Sequence, residues 1–169
     1  MRTIALVAMG LCGAALFAAN KPVTVDLKDG TGKDVGTAKI SDSGAGVKIA
    51  LNLKGLPAGD HGIHFDQTAK CQGPAFTTAG GHFNPDNKKH GLDNPQGPHA
   101  GDNPNFTVKA NGTAKVTIAD PRVTLDPAAA NSLFANGGTA LVLHAMKDDE
   151  MTDPTGNAGG RMACGVITK

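Results

Sequence analysis

The apolar side chains of this sequence recur at every second residue in short runs, a period that suits strands and does not suit amphipathic helices. Val23, Val25 and Leu27 alternate with polar residues, as do Val47, Ile49, Leu51 and Leu53. Phe106 with Val108, Val116 with Ile118, and Val123 with Leu125 repeat the spacing. Successive strand side chains point to opposite faces, so each run presents one apolar face to a core and one polar face to water. Turn signals separate the runs: Asp29-Gly30, Ser43-Gly44, Asn111-Gly112 and Asn136-Gly137-Gly138. Short strands with one buried face predict an all-β fold, an antiparallel sandwich or barrel. Leu141 to His144 is more continuously apolar and is expected to be a central strand.

The chain has 169 residues, which suits one domain. Its start differs from the rest. Met1-Arg2 is a short positive opening, Thr3 to Ala19 is apolar or small, and ordinary polar sequence begins at Lys21. This is the layout of a secretory signal peptide over residues 1–19, with a domain over 20–169 and a periplasmic or secreted location. An uncleaved anchor is the alternative, since about 17 apolar residues is the shortest membrane span. Lipidation at Cys12 is disfavoured by the preceding Leu11. Cleavage after Ala19 removes Arg2, so the formal net charge falls from +1 to 0. A neutral chain with no basic run, no Trp and no Tyr offers no footprint for nucleic acid or for an anionic membrane. Cys71 and Cys164 remain. An even pair in an exported chain predicts a disulfide, with two free thiols as the alternative.

Two segments break the period of two. Thr68 to Asn105 is rich in Gly, Pro, Asn and His, and Ala145 to Gly160 is polar and Gly-rich. Long loops inside a compact domain are functional or disordered, and the histidines bear on the choice. His82, His90 and His99 lie in the first loop, His61 and His64 precede it, and His144 precedes the second. His82-x7-His90-x8-His99-x2-Asp102 offers three imidazoles and a carboxylate, the complement of a closed tetrahedral zinc site. A loop so poor in apolar residues cannot order itself by burial, and a metal is one source of order. A solvated loop that happens to contain histidines is the alternative. His64 and Asp66, one residue apart on a strand, share a face. Spacing alone leaves open whether they meet His82 and His144.

These residues occur in a series of motifs. His61-Gly62-Ile63-His64, Gly80-Gly81-His82-Phe83-Asn84-Pro85, Lys89-His90-Gly91, His99-Ala100-Gly101-Asp102 and Thr155-Gly156-Asn157-Ala158-Gly159-Gly160-Arg161-Met162-Ala163-Cys164-Gly165-Val166-Ile167 resemble copper/zinc superoxide dismutases. They stand in that family's order across Val23 to Lys169, and Gly101-Asp102-Asn103-Pro104 with the leader resembles its exported bacterial branch. The resemblance implies an eight-stranded Greek-key β-barrel with two long functional loops. It implies zinc on His82, His90, His99 and Asp102, and copper on His64, His82, His144 and one further histidine, with His82 bridging the two metals. It further implies a Cys71–Cys164 disulfide and Arg161 attracting superoxide, with Thr155 narrowing the channel. Asp148 would orient His64 and His90, and His61 would be structural.

One position departs from the pattern. Where the family expects His-x-His, this chain reads His64-Phe65-Asp66, so Asp66 stands at a copper-ligand position. A carboxylate there is harder and anionic, which favours Cu(II) over Cu(I) and admits zinc. The expected function is dismutation of superoxide to oxygen and hydrogen peroxide. Its rival is a zinc-binding relative with weak or no activity. A copper-handling accessory role finds no separate Cys-x-x-Cys motif to support it.

Overall fold

The computed structural model describes residues 20–169; the signal peptide expected over residues 1–19 lies outside the described residues. The alternating runs form strands. They are β1 (Val23–Asp29), β2 (Asp34–Asp42), β3 (Val47–Leu53), β4 (Gly59–His61), β5 (Ile63–Asp66), β6 (Phe106–Val108), β7 (Ala114–Asp120), β8 (Thr139–His144) and β9 (Arg161–Ile167). Helical structure among the described residues is limited to two single 3₁₀ turns, Thr77–Ala79 and Ala135–Gly137.

The strands form an antiparallel sheet ordered β5-β8-β9-β1-β2-β3-β7, with a second pair β4-β6. The pair closes the sheet at both ends. The backbone of Gly62 joins β4 to β5 without a break in pairing: its N–H donates to Met146 O and its carbonyl accepts from His144 N–H, each at 2.9 Å. At the other end, β6 turns into β7 through Asn111-Gly112, where Lys109 N–H donates to Thr113 O at 2.9 Å. Counting β4 and β5 as one strand gives the eight-stranded Greek-key barrel expected from the sequence, because non-consecutive strands β3 and β7 are neighbours.

The barrel interior takes the inward half of each alternating run: Val25 and Leu27, Ile49 and Leu51, Ile63 and Phe65, Leu141 and Leu143. Phe65 is fully buried, and burying a side chain of that size contributes about 2–3 kcal/mol. Every residue of β8 is buried. Its second face is covered too, since Ala140 and Val142 pack with Phe76, Ala79 and Cys164 under the first long loop. That double covering explains the continuous apolar run seen in the sequence.

One strand expectation needs correction, and one strand is added. Val123 and Leu125 are buried, but their segment makes only one isolated bridge, Thr124 to Ser132. Pro121 and Pro127 bound it, and a residue without a backbone N–H cannot extend a ladder. Strand β2 was not anticipated. Its inward residues Val35, Ala38 and Ile40 are interrupted by Gly36, which weakens the period of two.

Candidate metal centre

Strand β5 sets up the centre. Its pairing with β8 sets His64 opposite Val142 and Asp66 opposite Ala140, so both polar side chains lie on the outer face, away from the barrel core. The first long loop then passes twice along β5. Phe83 N–H donates to Phe65 O at 2.7 Å, Phe65 N–H to Gly101 O at 2.9 Å, and Gly101 N–H to Phe83 O at 2.8 Å. These bonds bring His82 beside Asp66 and Asp102 beside His64. Only glycine fits at Gly101, because a Cβ there would run into Phe65 O and lie 3.0 Å from Phe83 N.

The first donor set forms around Asp102. The Asp102 Oδ1 atom lies 2.9 Å from His82 Nδ1, 3.0 Å from His90 Nδ1 and 3.3 Å from His99 Nδ1. His82 Nδ1 is 3.3 Å from His90 Nδ1 and 3.4 Å from His99 Nδ1. Four donors around zinc at about 2.0–2.1 Å form a tetrahedron with edges of about 3.3 Å, so this set fits zinc by size and chemistry. His64 also comes within 4.8 Å of His82, His90 and Asp102. Its Nε2, however, is held by Asp148 Oδ2 at 2.6 Å, so His99 is the better fourth member. Asp102 Oδ2 accepts N–H bonds from Gly91 and His99, each at 2.9 Å, which turns Oδ1 toward the rings.

The second donor set consists of buried polar atoms with no hydrogen-bond partner: His64 Nδ1, His82 Nε2, His144 Nε2 and both Asp66 oxygens. Leaving so many buried lone pairs unmatched is costly, and a metal ion would match the ring nitrogens of His64, His82 and His144. The rings cluster closely. The His64 and His82 centroids are 3.9 Å apart and those of His64 and His144 are 4.7 Å apart. Their opposite nitrogens are anchored, with His144 Nδ1 3.3 Å from Gly159 O. His82 therefore presents Nδ1 to one set and Nε2 to the other.

Asp148 ties the two sets together, Oδ2 to His64 Nε2 at 2.6 Å and Oδ1 to His90 Nε2 at 3.1 Å. Gly156 keeps that carboxylate in place. It has φ +61, and a Cβ there would run into Asp148 Oδ1 and lie 2.6 Å from His90 Nε2. Burial disfavours the charged ring of His64, despite its bond to Asp148, and lowers its pKa to about 3. Burial likewise lowers His144 to about 4 and shifts His82 downward. These rings stay neutral with lone pairs available, as ligation requires. Burial also opposes charge on His90, but Asp102 and Asp148 outweigh it and raise its pKa to about 9. Burial alone would raise Asp102 and Asp148; hydrogen bonds from the surrounding imidazoles hold both well below the usual carboxylate range.

Arg161 spans the outer side of the second set. Its Nη1 donates to Phe76 O at 2.7 Å, Nη2 donates to Gly80 O, and Nη2 pairs with Asp66 Oδ2 at 2.9 Å. The Asp66 contact is an ion pair and not an aligned hydrogen bond, since both oxygens lack a hydrogen-bond partner. Burial pushes the Asp66 pKa up to about 7, against the pull of Arg161. Cys71 and Cys164 are bonded, with Cα atoms 5.7 Å apart, and this fastens the first loop to β9 beside Arg161. Thr155 is exposed on the second loop. His61 is buried away from both sets, with Nδ1 2.9 Å from His144 O and Nε2 2.9 Å from Pro57 O.

The sequence reading missed three supporting residues. Arg122 pairs with Asp120 Oδ1 at 2.9 Å and donates to Asp102 O at 2.5 Å. Asn105 links the loops, donating to Asp148 O at 2.9 Å and accepting from Asp148 N–H at 2.7 Å. Asp153 accepts from His90 N–H at 2.9 Å. Asn105 and Asp153 stand near ligand motifs in sequence, but an isolated polar residue in a polar loop carries no signal of its partner.

Known proteins carry the same architecture. The family model for copper/zinc superoxide dismutase (SODC) matches residues 35–167. A protein of Aquifex aeolicus, "Superoxide dismutase [Cu-Zn] 2", is 46% identical over 155 residues, covering 91% of this chain and 91% of that one. The crystal structure of an SOD-like protein from Bacillus subtilis aligns with TM-score 0.83 at 36% identity, over 89% of this chain and 99% of that one. The Cu/Zn superoxide dismutase of Brucella abortus aligns with TM-score 0.71 at 29% identity, over 87% and 99%. By fold, motif order and these likenesses, the chain belongs to the copper/zinc superoxide dismutase family.

Proposed function

We propose that this chain is an exported superoxide dismutase, converting superoxide to oxygen and hydrogen peroxide at a copper site joined to a structural zinc site. The observation that carries the reading is His82, whose two ring nitrogens face two different donor sets. Zinc is held by His82, His90, His99 and Asp102. Copper is held by His64, His82 and His144, with Asp66 at the fourth position. Copper, when bound, supplies the one-electron chemistry. The chain's own residues do the rest: Asp148 fixes the rings of His64 and His90, and His82 keeps one ring nitrogen toward each donor set. Arg161 draws the small anion inward, and Thr155 borders its path. The domain spans residues 20–169, and residues 1–19 direct export to the periplasm or outside the cell. The Cys71–Cys164 bond suits an oxidising compartment, and among the described residues no helix is long and apolar enough to cross a membrane.

A second reading has its own support: a zinc-binding relative with weak or no activity. It is favoured by the Asp66–Arg161 pair, which occupies the arginine and engages the carboxylate that stands in the position of a fourth imidazole. One of the solved relatives is described only as SOD-like. The deciding experiment measures superoxide consumption per bound copper after loading with copper and zinc, for the native chain and Asp66→His. The expected result is about one zinc per chain, copper-dependent activity in both forms, and faster turnover with Asp66→His. Zinc in both positions with no copper-dependent consumption would establish the second reading.

A further inference from the structure

We propose that Asp66 sets how strongly the metal cavity attracts small monovalent anions, by cancelling the charge of Arg161. The inference rests on the cavity described above and concerns a residue at which this chain departs from its family's pattern. The Arg161 guanidinium is 16% exposed and the Asp66 carboxylate is fully enclosed. Two of the guanidinium's contacts are to the carbonyls of Phe76 and Gly80. Those dipoles orient the group and leave its charge in place. The carboxylate 2.9 Å away is the contact that offsets it.

Asp66 is poorly placed to retreat. Its backbone is paired with Ala140 on one side and with His82 on the other, which fixes the point from which the carboxylate reaches the guanidinium. Enclosure also removes the water and salt that would screen it. While Asp66 is ionised, an anion approaching the His64, His82 and His144 nitrogens therefore meets an ion pair of no net charge in place of a free cation. The carboxylates Asp102 and Asp148 are each bonded to imidazoles, and the ion pair of Arg161 is with Asp66. Charge complementarity of this kind governs how readily a small ion is captured.

Two readouts test the proposal without using dismutation. The first is modification by phenylglyoxal of the protein as purified, followed by peptide mapping. The chain has three arginines, Arg2, Arg122 and Arg161, and Arg122 is the internal control because its partners are untouched. Relative to the native chain, Asp66→Asn is expected to speed modification of Arg161 about tenfold, the loss of one close charge pair, with Arg122 unchanged. The second is protection of Arg161 from phenylglyoxal by azide in the zinc-loaded, copper-free protein at low ionic strength, where Asp66→Asn is expected to bind azide about tenfold more tightly. Equal Arg161 reactivity and an equal azide constant in the two forms would overturn the proposal. If Asp66→Asn fails to form the Cys71–Cys164 bond, Asp66→His replaces it in both measurements with the same two outcomes. A chain that never consumes superoxide would still answer through Arg161 reactivity, so failure here and failure of the dismutase reading are distinguishable.

Discussion

Asp148 concentrates the most consequence in the fewest atoms, because one carboxylate orients a ring in each donor set. Asp148→Ala is expected to lower zinc and copper affinity together, by about 10–100-fold each, as read by competition with a chelator. Loss confined to one metal would mean the two bonds act separately. Asp120 gives a pH signature. Its pKa is raised to about 6, by burial against the pull of Arg122. Between about pH 4 and 6 the folded chain thus holds a proton that the unfolded chain has released, and stability falls as pH rises through that window. Metal-free Asp120→Asn should lack that component, so denaturant titrations of the two forms should differ by up to about 3 kcal/mol across the window. Parallel curves would remove Asp120 from the balance. At this scale the sequence was informative where spacing mattered. His82, His90, His99 and Asp102 share one loop and were legible as a set. Arg122 was not, because its contact with Asp102 O depends on how the end of β7 meets a distant loop.

Among the elements, the first long loop depends most on attachments from outside itself. It carries few apolar residues, and it is held by pairing with β5, by the Asn105 and Asp153 bonds to the second loop, and by Cys71–Cys164. The bonded cysteines are 93 residues apart, and closing so long a segment restricts the unfolded chain strongly. Replacing both with Ser is expected to cost about 2–5 kcal/mol of stability, measured by thermal unfolding of the zinc-loaded protein. A cost under about 1 kcal/mol would show that the metal ligands and loop bonds suffice. Strands were readable where alternation was clean, as in β1 and β3, whose buried and exposed residues follow period two. The Val123 and Leu125 pair obeyed the same period but lacked a partner strand. Local pattern shows which face is apolar and leaves open whether a ladder forms beside it.

For the whole molecule, the sequence pattern gave an all-β fold, and barrel closure with its neighbour order came from family resemblance, since joining β3 to β7 is a long-range choice that alternation does not record. The closed barrel and the site stand in different relations to metal. The barrel is built from buried apolar side chains, whereas the first loop is held by polar contacts, among them the imidazoles gathered at Asp102. Removing metal should therefore leave the strands folded and expose residues 68–105 to protease, as limited proteolysis before and after chelation would read. Cleavage spread evenly over the strands would show that the core also depends on the ion. A last consequence follows from His82 and Asp148, each of which touches both donor sets. Two sites that share residues share a free energy: whatever factor zinc lends to copper binding, copper must return to zinc. The pair is thus a small thermodynamic cycle, and measuring any three of its sides fixes the fourth.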